Sequence, residues 1–173
     1  EIIKGHVSLG SLRIRQDFMI ALGLTEAPFD PNNNKEQAAL DLALARIRQL
    51  SAHEIGHTLG FAHNFAASAN ARTSVMDYPH PNLSIEEGKI KLDKAYEVGI
   101  GSWDKVSVGY AYTDFTEGID ERAALNSMLE KSVAEGHRFI SDRDARPLGG
   151  AHPKAHLWDN GTLATSELAK LMQ

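Results

Sequence analysis

The chain of 173 residues contains no cysteine. Disulfide bonds, thiolate metal ligands and a cysteine nucleophile are therefore excluded, and any metal must be held by histidine or carboxylate side chains. No apolar run reaches the roughly 18 residues that a membrane-spanning helix needs. With 18 Lys+Arg against 23 Asp+Glu, the formal charge of −5 argues against electrostatic capture of nucleic acid or anionic lipid. What the composition does supply is eight histidines.

The chain starts at Glu1 without an initiator methionine, and its first residues do not form a charged and apolar leader segment. We expect a mature or excised piece of a longer protein. The length allows one domain of ordinary size with a buried core.

The spacing of apolar residues predicts a mainly helical chain with few strands. Leu40, Leu44, Ile47 and Leu50 recur every three or four residues, which predicts one amphipathic helix over residues 35–59, about 37 Å long. The other predicted elements are a strand at 2–9, a helix at 12–22 ended by Gly23, a loop at 27–34, a turn-rich stretch at 60–82, a short strand at 90–92, helices at 103–112, 119–135 and 162–172, and a polar loop at 142–150.

Two histidines and a glutamate are grouped near the end of the long predicted helix. Residues four apart differ by about 400° of rotation, so His53 and His57 project within about 40° of each other, one turn apart. Two imidazoles placed in this way can share one metal ion, and Glu54 lies on the adjoining side of the same face. This is the HExxH arrangement, in which zinc acidifies a water molecule and the glutamate accepts its proton.

A third histidine follows after a glycine, which completes the pattern His-Glu-x-x-His-x-x-Gly-x-x-His. In a continued helix, His63 would lie about 9 Å beyond His57 and be rotated by about 240°, away from the metal. Gly60 can adopt a positive φ and end the helix, so that the chain turns back and His63 supplies a third ligand. Three histidines and a water molecule form the open tetrahedral site of hydrolytic zinc enzymes.

This pattern is that of the metzincin zinc peptidases, which the chain resembles. The segment Ser74–Tyr78 (Ser-Val-Met-Asp-Tyr) also resembles the Met-turn of that clan. The resemblance implies that Met76 packs beneath the three imidazoles without binding the metal. It further implies that Tyr78, as in astacins and serralysins, lies near the metal and helps to stabilise the oxyanion. The alternative for Tyr78 is a buried aromatic ring whose hydroxyl is bonded elsewhere.

Within this clan, residues 2–11, 53–65 and 74–81 resemble large bacterial zinc-dependent metalloproteases. Those are exported, multi-domain proteins, so the resemblance implies an extracellular or periplasmic location and one catalytic zinc ion. Asn64 stands where several metzincin families have an acidic or other distinctive residue, which prevents placement among astacins, adamalysins or matrixins.

The upper half of a metzincin usually contains several strands and a helix before the active-site helix, whereas only 34 residues precede that predicted helix here. We therefore expect a mainly α (α+β), partial metzincin-like core at 1–115, followed by a helical extension at 116–173 that packs on it. By the resemblance, residues 2–9 form the edge strand that pairs with extended substrate. The unpaired side of that strand is also expected to favour self-association.

Together these features predict a zinc-dependent endopeptidase of protein or peptide substrates, with His53, His57 and His63 as zinc ligands and Glu54 as general base. Two alternatives stay open. The chain is a zinc-binding or scaffold module that has lost hydrolysis, against which the presence of Glu54 argues, or it hydrolyses non-peptide acyl substrates. A peptide library tested beside an ester panel distinguishes an endopeptidase from a hydrolase of non-peptide acyl substrates.

The other histidines and acids are interpreted as structural or surface groups. A second metal site is disfavoured because Pro153 interrupts one histidine pair and the spacing of the acids does not match a calcium-binding EF-hand loop. These residues are His6 in the predicted edge strand, His80 beside the Met-turn as a pocket wall or exposed loop residue, His137 as a surface group at a helix end, the surface acids Asp142, Asp144 and Asp159, and the pair His152 and His156.

Overall fold

The computed structural model describes residues 2–25, 35–149 and 152–172. Within these residues the chain is mainly helical with one two-stranded antiparallel hairpin, so the predicted fold class is confirmed. The elements are α1 (Ser11–Leu24), α2 (Lys35–Thr58), a 3₁₀ turn (Ser68–Asn70), β1 (Ser84–Glu86), β2 (Lys89–Lys91), α3 (Ser102–Tyr112), α4 (Glu121–Ala134), α5 (Asp142–Ala145) and α6 (Ala164–Leu171).

The chain divides into two compact units. The first contains residues 1–59 and 80–99, and the second contains residues 60–79 and 100–172. The domain boundary predicted at residue 115 stays a prediction. None of the described helices is long and apolar enough to cross a membrane.

Helix positions agree closely with the sequence predictions. Each end of the five predicted helices lies within two residues of the corresponding end of α1, α2, α3, α4 or α6. The polar loop predicted at 142–150 begins with the short helix α5, which the sequence analysis missed. The loop predicted at 27–34 lies outside the described residues.

The first unit is built on the packing of α1 along α2. Small side chains on the contacting faces let the two helices approach closely, and the segment after β2 completes the core. The buried apolar residues of this core are Ala21, Leu22, Ala39, Leu42, Leu92, Ala95 and Tyr96.

The buried face of α2 differs from the predicted one. Leu40 and Leu44, which define the apolar periodicity, are 41% and 42% exposed. The buried face instead combines Leu42 and two alanines with polar side chains, among them Arg46 and His53. The guanidinium of Arg46 lies 5.5 Å from the centre of the Tyr96 ring, a cation–π contact that offsets part of the cost of burying a charge. The spacing of the leucines therefore did not predict which face of α2 is buried.

The strand predicted at residues 2–9 is wrong. Residues 2–10 have no regular secondary structure, and β1 and β2 pair only with each other within the described ranges. A strand requires a neighbouring ladder to satisfy its backbone groups, and alternation of side chains alone does not supply one. The segment passes close to the end of α2, where a Cβ at Gly5 would lie 3.0 Å from that of Thr58.

The short strand predicted at 90–92 is confirmed as β2, and its partner β1 was not predicted. The two strands are joined by Glu87 and Gly88, whose φ angles are +52° and +72°. Two successive positive φ angles characterise the tight turns that match the twist of an antiparallel hairpin.

In the second unit, Asp104 fastens the turn at residues 74–78 to the first turn of α3. Its buried carboxylate accepts hydrogen bonds from the Ser74 hydroxyl (2.5 Å) and from the backbone N–H groups of Val75 (2.8 Å) and Gly101 (2.7 Å). A carboxylate that accepts several hydrogen bonds can be buried at low cost. The first turn of α3 therefore fixes where the 74–78 turn begins.

We predict that Gly101→Ala destabilises this unit. An added Cβ would lie 1.9 Å from the carbonyl oxygen of Thr73, so the backbone would have to move and the bonds of Asp104 would be strained. Overpacking of this kind costs about 1–3 kcal/mol. Urea unfolding should show a lower free energy of unfolding than in the unmodified chain.

Gly109→Ala, inside α3, is the control for the substitution at Gly101, which lies directly before that helix. Its added Cβ would lie 3.6 Å from the sulfur of Met128, an ordinary contact, and loss of a glycine from a helix interior stabilises by up to about 1 kcal/mol. Equal unfolding midpoints for the two variants would contradict the close approach of Gly101 to Thr73.

Candidate metal centre

The last turns of α2 carry a pair of histidines. The Nε2 atoms of His53 and His57 lie 3.1 Å apart, and their rings meet edge to face with centroids separated by 4.7 Å. His53 is buried, whereas Glu54 and His57 are partly exposed. The prediction that the two imidazoles project from one face of the helix is confirmed.

The chain turns sharply after α2. Gly60 has a φ of +91°, a conformation that residues with a Cβ rarely adopt, and the helix ends at Thr58. One ring nitrogen from each of His53, His57 and His63 lies within 4.8 Å of the others. Among the described residues, no other group of three histidine or acidic side chains is arranged so that it could hold a metal ion.

The donor set of these histidines fits zinc. Zinc–nitrogen bonds of about 2.0–2.1 Å at tetrahedral angles separate two ligating nitrogens by about 3.3 Å. The distance between the Nε2 atoms of His53 and His57 is close to that value. Three imidazoles leave a fourth position for water, as hydrolytic zinc sites require.

His63 is held by a carboxylate from a distant part of the chain. Its Nδ1 lies 2.7 Å from Oδ2 of Asp142, the first residue of α5, and Nη1 of Arg146 donates to Oδ1 of the same carboxylate at 3.1 Å. Burial acts to raise the pKa of Asp142, but the hydrogen bonds from His63 and Arg146 outweigh it and lower that pKa below its usual value. Asp142 is therefore an ionised acceptor at neutral pH.

Asn64, which directly follows the third histidine, fastens this distant segment. Its side chain is fully buried. Its Nδ2 donates to the carbonyl oxygen of Arg138 (2.9 Å), and its Oδ1 accepts from the backbone N–H of Ile140 (3.2 Å). The N–H of Phe65 donates to the carbonyl oxygen of Ile140 (2.8 Å). These bonds bring the next residues, 141–146, to the third histidine.

The turn at residues 74–78 packs beside the same histidine. Met76 is buried, and its carbonyl oxygen accepts a hydrogen bond from the backbone N–H of Asn64 (2.9 Å). The ring centroid of Tyr78 lies 4.8 Å from that of His63. Tyr78 therefore contacts one of the clustered histidines, as a role in the chemistry of this site requires.

A sequence model of the Met-zincin family matches residues 35–173, which include all three clustered histidines and the 74–78 turn. The chain belongs to the Met-zincin family. No curated protein and no solved structure matches it significantly. The mainly helical fold, with its few strands, is consistent with a partial metzincin-like core.

Other candidates from the sequence lie outside the centre of this Met-zincin. Several of them are exposed side chains, and for Asp144 this agrees with its interpretation as a surface acid. Asp159 differs, because its Oδ1 accepts a hydrogen bond from the hydroxyl of buried Ser68 at 2.6 Å. The exposed residues are His6, His80, Asp144, His152 and His156.

The prediction for His137 is wrong. It is not a surface group but is only 5% exposed. Its Nε2 lies 2.8 Å from the hydroxyl of Ser102 and its Nδ1 lies 3.1 Å from that of Ser132. His137 thus joins the start of α3 to the end of α4. Its position after a predicted helix suggested a surface group and gave no indication of these two contacts.

The carboxylate behind the third histidine was not predicted from the sequence. Asp142 was interpreted as a surface acid because its spacing from the other acids does not match an EF-hand loop. Its contact with His63 spans 79 residues, and nothing local connects the two. Asn64 did give a signal, since it departs from the pattern of several metzincin families. In the structure, both its donor and its acceptor are used by the segment that carries Asp142.

Asp77 is a buried acid in the 74–78 turn, only 3% exposed. Burial raises its pKa to about 6, despite hydrogen bonds from the backbone N–H groups of Tyr78 (2.7 Å) and Ser68 (2.9 Å), and the charge of Asp159 adds to the increase. Folding therefore increases the affinity of this carboxylate for a proton.

We predict a pH-dependent stability that originates in Asp77. From about pH 4 to about pH 6 the folded protein keeps this proton, whereas the unfolded chain, with a pKa of 3.8, releases it. The free energy of unfolding should therefore fall as pH rises through that window, by up to about 3 kcal/mol, and level off above it.

Urea unfolding of the metal-free chain and of Asp77→Asn, from about pH 4 to about pH 7, measures this contribution. The variant lacks the titrating group, while all other groups are common to the two proteins and largely cancel in the difference. Parallel pH profiles would show that the pKa of Asp77 is not raised by folding.

Proposed function

We propose that this chain is the catalytic part of a zinc-dependent endopeptidase in which His53, His57 and His63 bind the metal. The observation that carries the proposal is the convergence of one nitrogen from each histidine within 4.8 Å, in a chain that belongs to the Met-zincin family. Three neutral nitrogen ligands and one open position are the donor set of hydrolytic zinc sites.

Glu54 is the proposed general base. A zinc ion held by the three histidines would lower the pKa of a water molecule and polarise a carbonyl group. Glu54 follows the first histidine on α2 and is partly exposed, so its carboxylate can accept a proton from the attacking water. It then donates this proton to the leaving amine, and no covalent enzyme intermediate is needed.

Tyr78 is proposed to help stabilise the oxyanion. Its ring contacts that of His63 and packs edge to face on Phe65, with centroids 5.7 Å apart, so the phenol is fixed beside a proposed ligand. A positioned hydroxyl that donates to developing negative charge is a common source of rate enhancement. Met76, buried in the same turn, is the proposed apolar base of the site, in the manner of a Met-turn.

Substrate, location and assembly are further proposals. Residues 2–9 form no ladder with the described strands, and we propose that their backbone pairs with extended protein or peptide substrates. Ile3, which is 93% exposed, would favour self-association through the same segment. The resemblance to large bacterial zinc proteases supports an exported, extracellular or periplasmic protein.

Glu54→Gln should keep zinc but lose nearly all hydrolysis. The substitution preserves the size of the side chain and removes the proton acceptor, and general-base losses are typically about 10²–10⁴-fold. Cleavage of a mixed peptide library by the zinc-loaded protein measures the effect, with zinc content determined on the same samples.

Glu36→Gln is the control, since it removes an exposed carboxylate from the first turn of the same helix. A zinc-loaded Glu54→Gln protein that cleaves at the original rate would refute the proposed base. If the unmodified chain binds zinc but cleaves no peptide, an ester panel distinguishes an acyl hydrolase from an inactive zinc-binding module.

His63→Ala should weaken zinc binding by more than the roughly 10–100-fold loss that is typical when a group behind a ligand is removed. Helix α2 should remain formed, because His63 lies beyond its end. Competition with a chromophoric chelator measures affinity, and circular dichroism measures helicity. His80→Ala replaces an exposed histidine and is the control. An unchanged zinc affinity would remove His63 from the ligand set.

A further inference from the structure

The proposed third ligand has two ring nitrogens, and only one can face a metal. A neutral imidazole carries its proton on one nitrogen and a lone pair on the other, so the hydrogen bond at one edge determines which atom can bind the ion. In His63 the Nδ1 edge is occupied, since Oδ2 of Asp142 lies 2.7 Å away. An ionised carboxylate only accepts hydrogen bonds. Nδ1 must therefore carry the proton, which leaves the lone pair on Nε2.

Neighbouring rings restrict the orientation of this imidazole. The ring of His63 is stacked on Phe65, with centroids 5.3 Å apart and planes 29° apart, and it contacts Tyr78 from another direction. Packing of this kind fixes the plane of the ring but does not distinguish its two nitrogen edges. The carboxylate of Asp142 makes that distinction, because its charge attracts an N–H group and repels a lone pair.

The position of Asp142 is itself fixed from two sides. Nη1 of Arg146, one turn later, donates to its second oxygen at 3.1 Å. The preceding segment is bonded to Asn64, the residue next to His63, through Arg138 and Ile140. The donor and the acceptor of the His63–Asp142 bond are thus tied to each other by a second, independent set of hydrogen bonds. An isolated ion pair on a protein surface lacks additional hydrogen bonds that hold its two partners together.

We propose that Asp142 is a positioning residue of the metal centre: it fixes the Nδ1–H tautomer of His63 and presents Nε2 of that ring to the ion. This inference rests on the proposed ligand role of His63. Carboxylates behind histidine ligands orient the ring and raise its basicity, and their removal typically costs about 10–100-fold in metal affinity. Asp142 contacts neither the metal nor the substrate in this role.

Zinc affinity is the first test. Competition with a chromophoric chelator should show that Asp142→Ala binds zinc about 10–100-fold more weakly than the unmodified chain. Asp142→Asn keeps an oxygen acceptor and loses the charge, so its loss should be smaller. Asp144→Asn is the matched control: it removes an exposed acid two residues away in α5 and should leave affinity within about twofold, as expected for a surface group.

The tautomer of His63 is the second test, and a purely structural contact would not change it. Nitrogen-15 NMR of the metal-free protein near pH 8 reports which nitrogen of the ring carries the proton. We expect Nδ1–H in the unmodified chain and in Asp144→Asn, and a loss of that preference in Asp142→Ala. Asp142→Asn provides the same measurements if the alanine variant does not fold.

Unchanged zinc affinity in both Asp142 variants, or an Nε2–H tautomer of His63 in the unmodified chain, would overturn the proposal. Neither measurement depends on catalysis. A chain that binds zinc in an Asp142-dependent way but cleaves no peptide would therefore refute the endopeptidase proposal alone. A chain that cleaves peptides and whose zinc affinity is unchanged in both Asp142 variants would refute this inference alone.

Discussion

The left-handed conformation of Gly60 is the constraint on which the candidate metal centre depends. An α-helix places residues four apart on one face, so α2 can align His53 and His57 by itself. It cannot align a residue six positions later, because continued helical rotation carries that side chain away. The positive φ of Gly60 ends the helix, and the third nitrogen then lies within 4.8 Å of the other two. A residue with a Cβ would pay a steric cost for the same turn.

Around the third histidine, hydrogen bonds from polar side chains hold irregular segments of the chain in place, whereas in many enzymes a large sheet supports the site. Asn64 bonds the segment at Arg138 and Ile140, and Asp104 bonds the start of the 74–78 turn. Each buried side chain satisfies backbone groups of an irregular segment, which would otherwise lack partners away from water. Irregular chain can therefore be packed at the site with defined geometry, although the described residues contain only one small hairpin.

Local features of the fold and the site could be predicted from the sequence. The limits of α2 followed from periodicity, and the glycine after it indicated the turn that brings a third histidine back. Features that depend on distant partners could not be predicted. The alternation at residues 2–9 indicated a strand, but no described neighbour pairs with it. Leu40 and Leu44 suggested a buried stripe, whereas the buried face combines Leu42 and alanines with polar groups. The contact between His63 and Asp142 spans 79 residues, and no local sequence pattern in either segment indicates it.

That long-range contact determines how far the protein could be shortened. A fragment ending at residue 115 would retain the entire eleven-residue histidine pattern, the glycine turn and the 74–78 turn. It would lose Asp142 and the backbone groups of Arg138 and Ile140 to which the buried Asn64 side chain is bonded. Under the proposed role of Asp142, such a fragment would keep the complete motif and still bind zinc more weakly. Comparisons that define the family by its histidine pattern alone would accept fragments in which the third imidazole has lost the group that orients it.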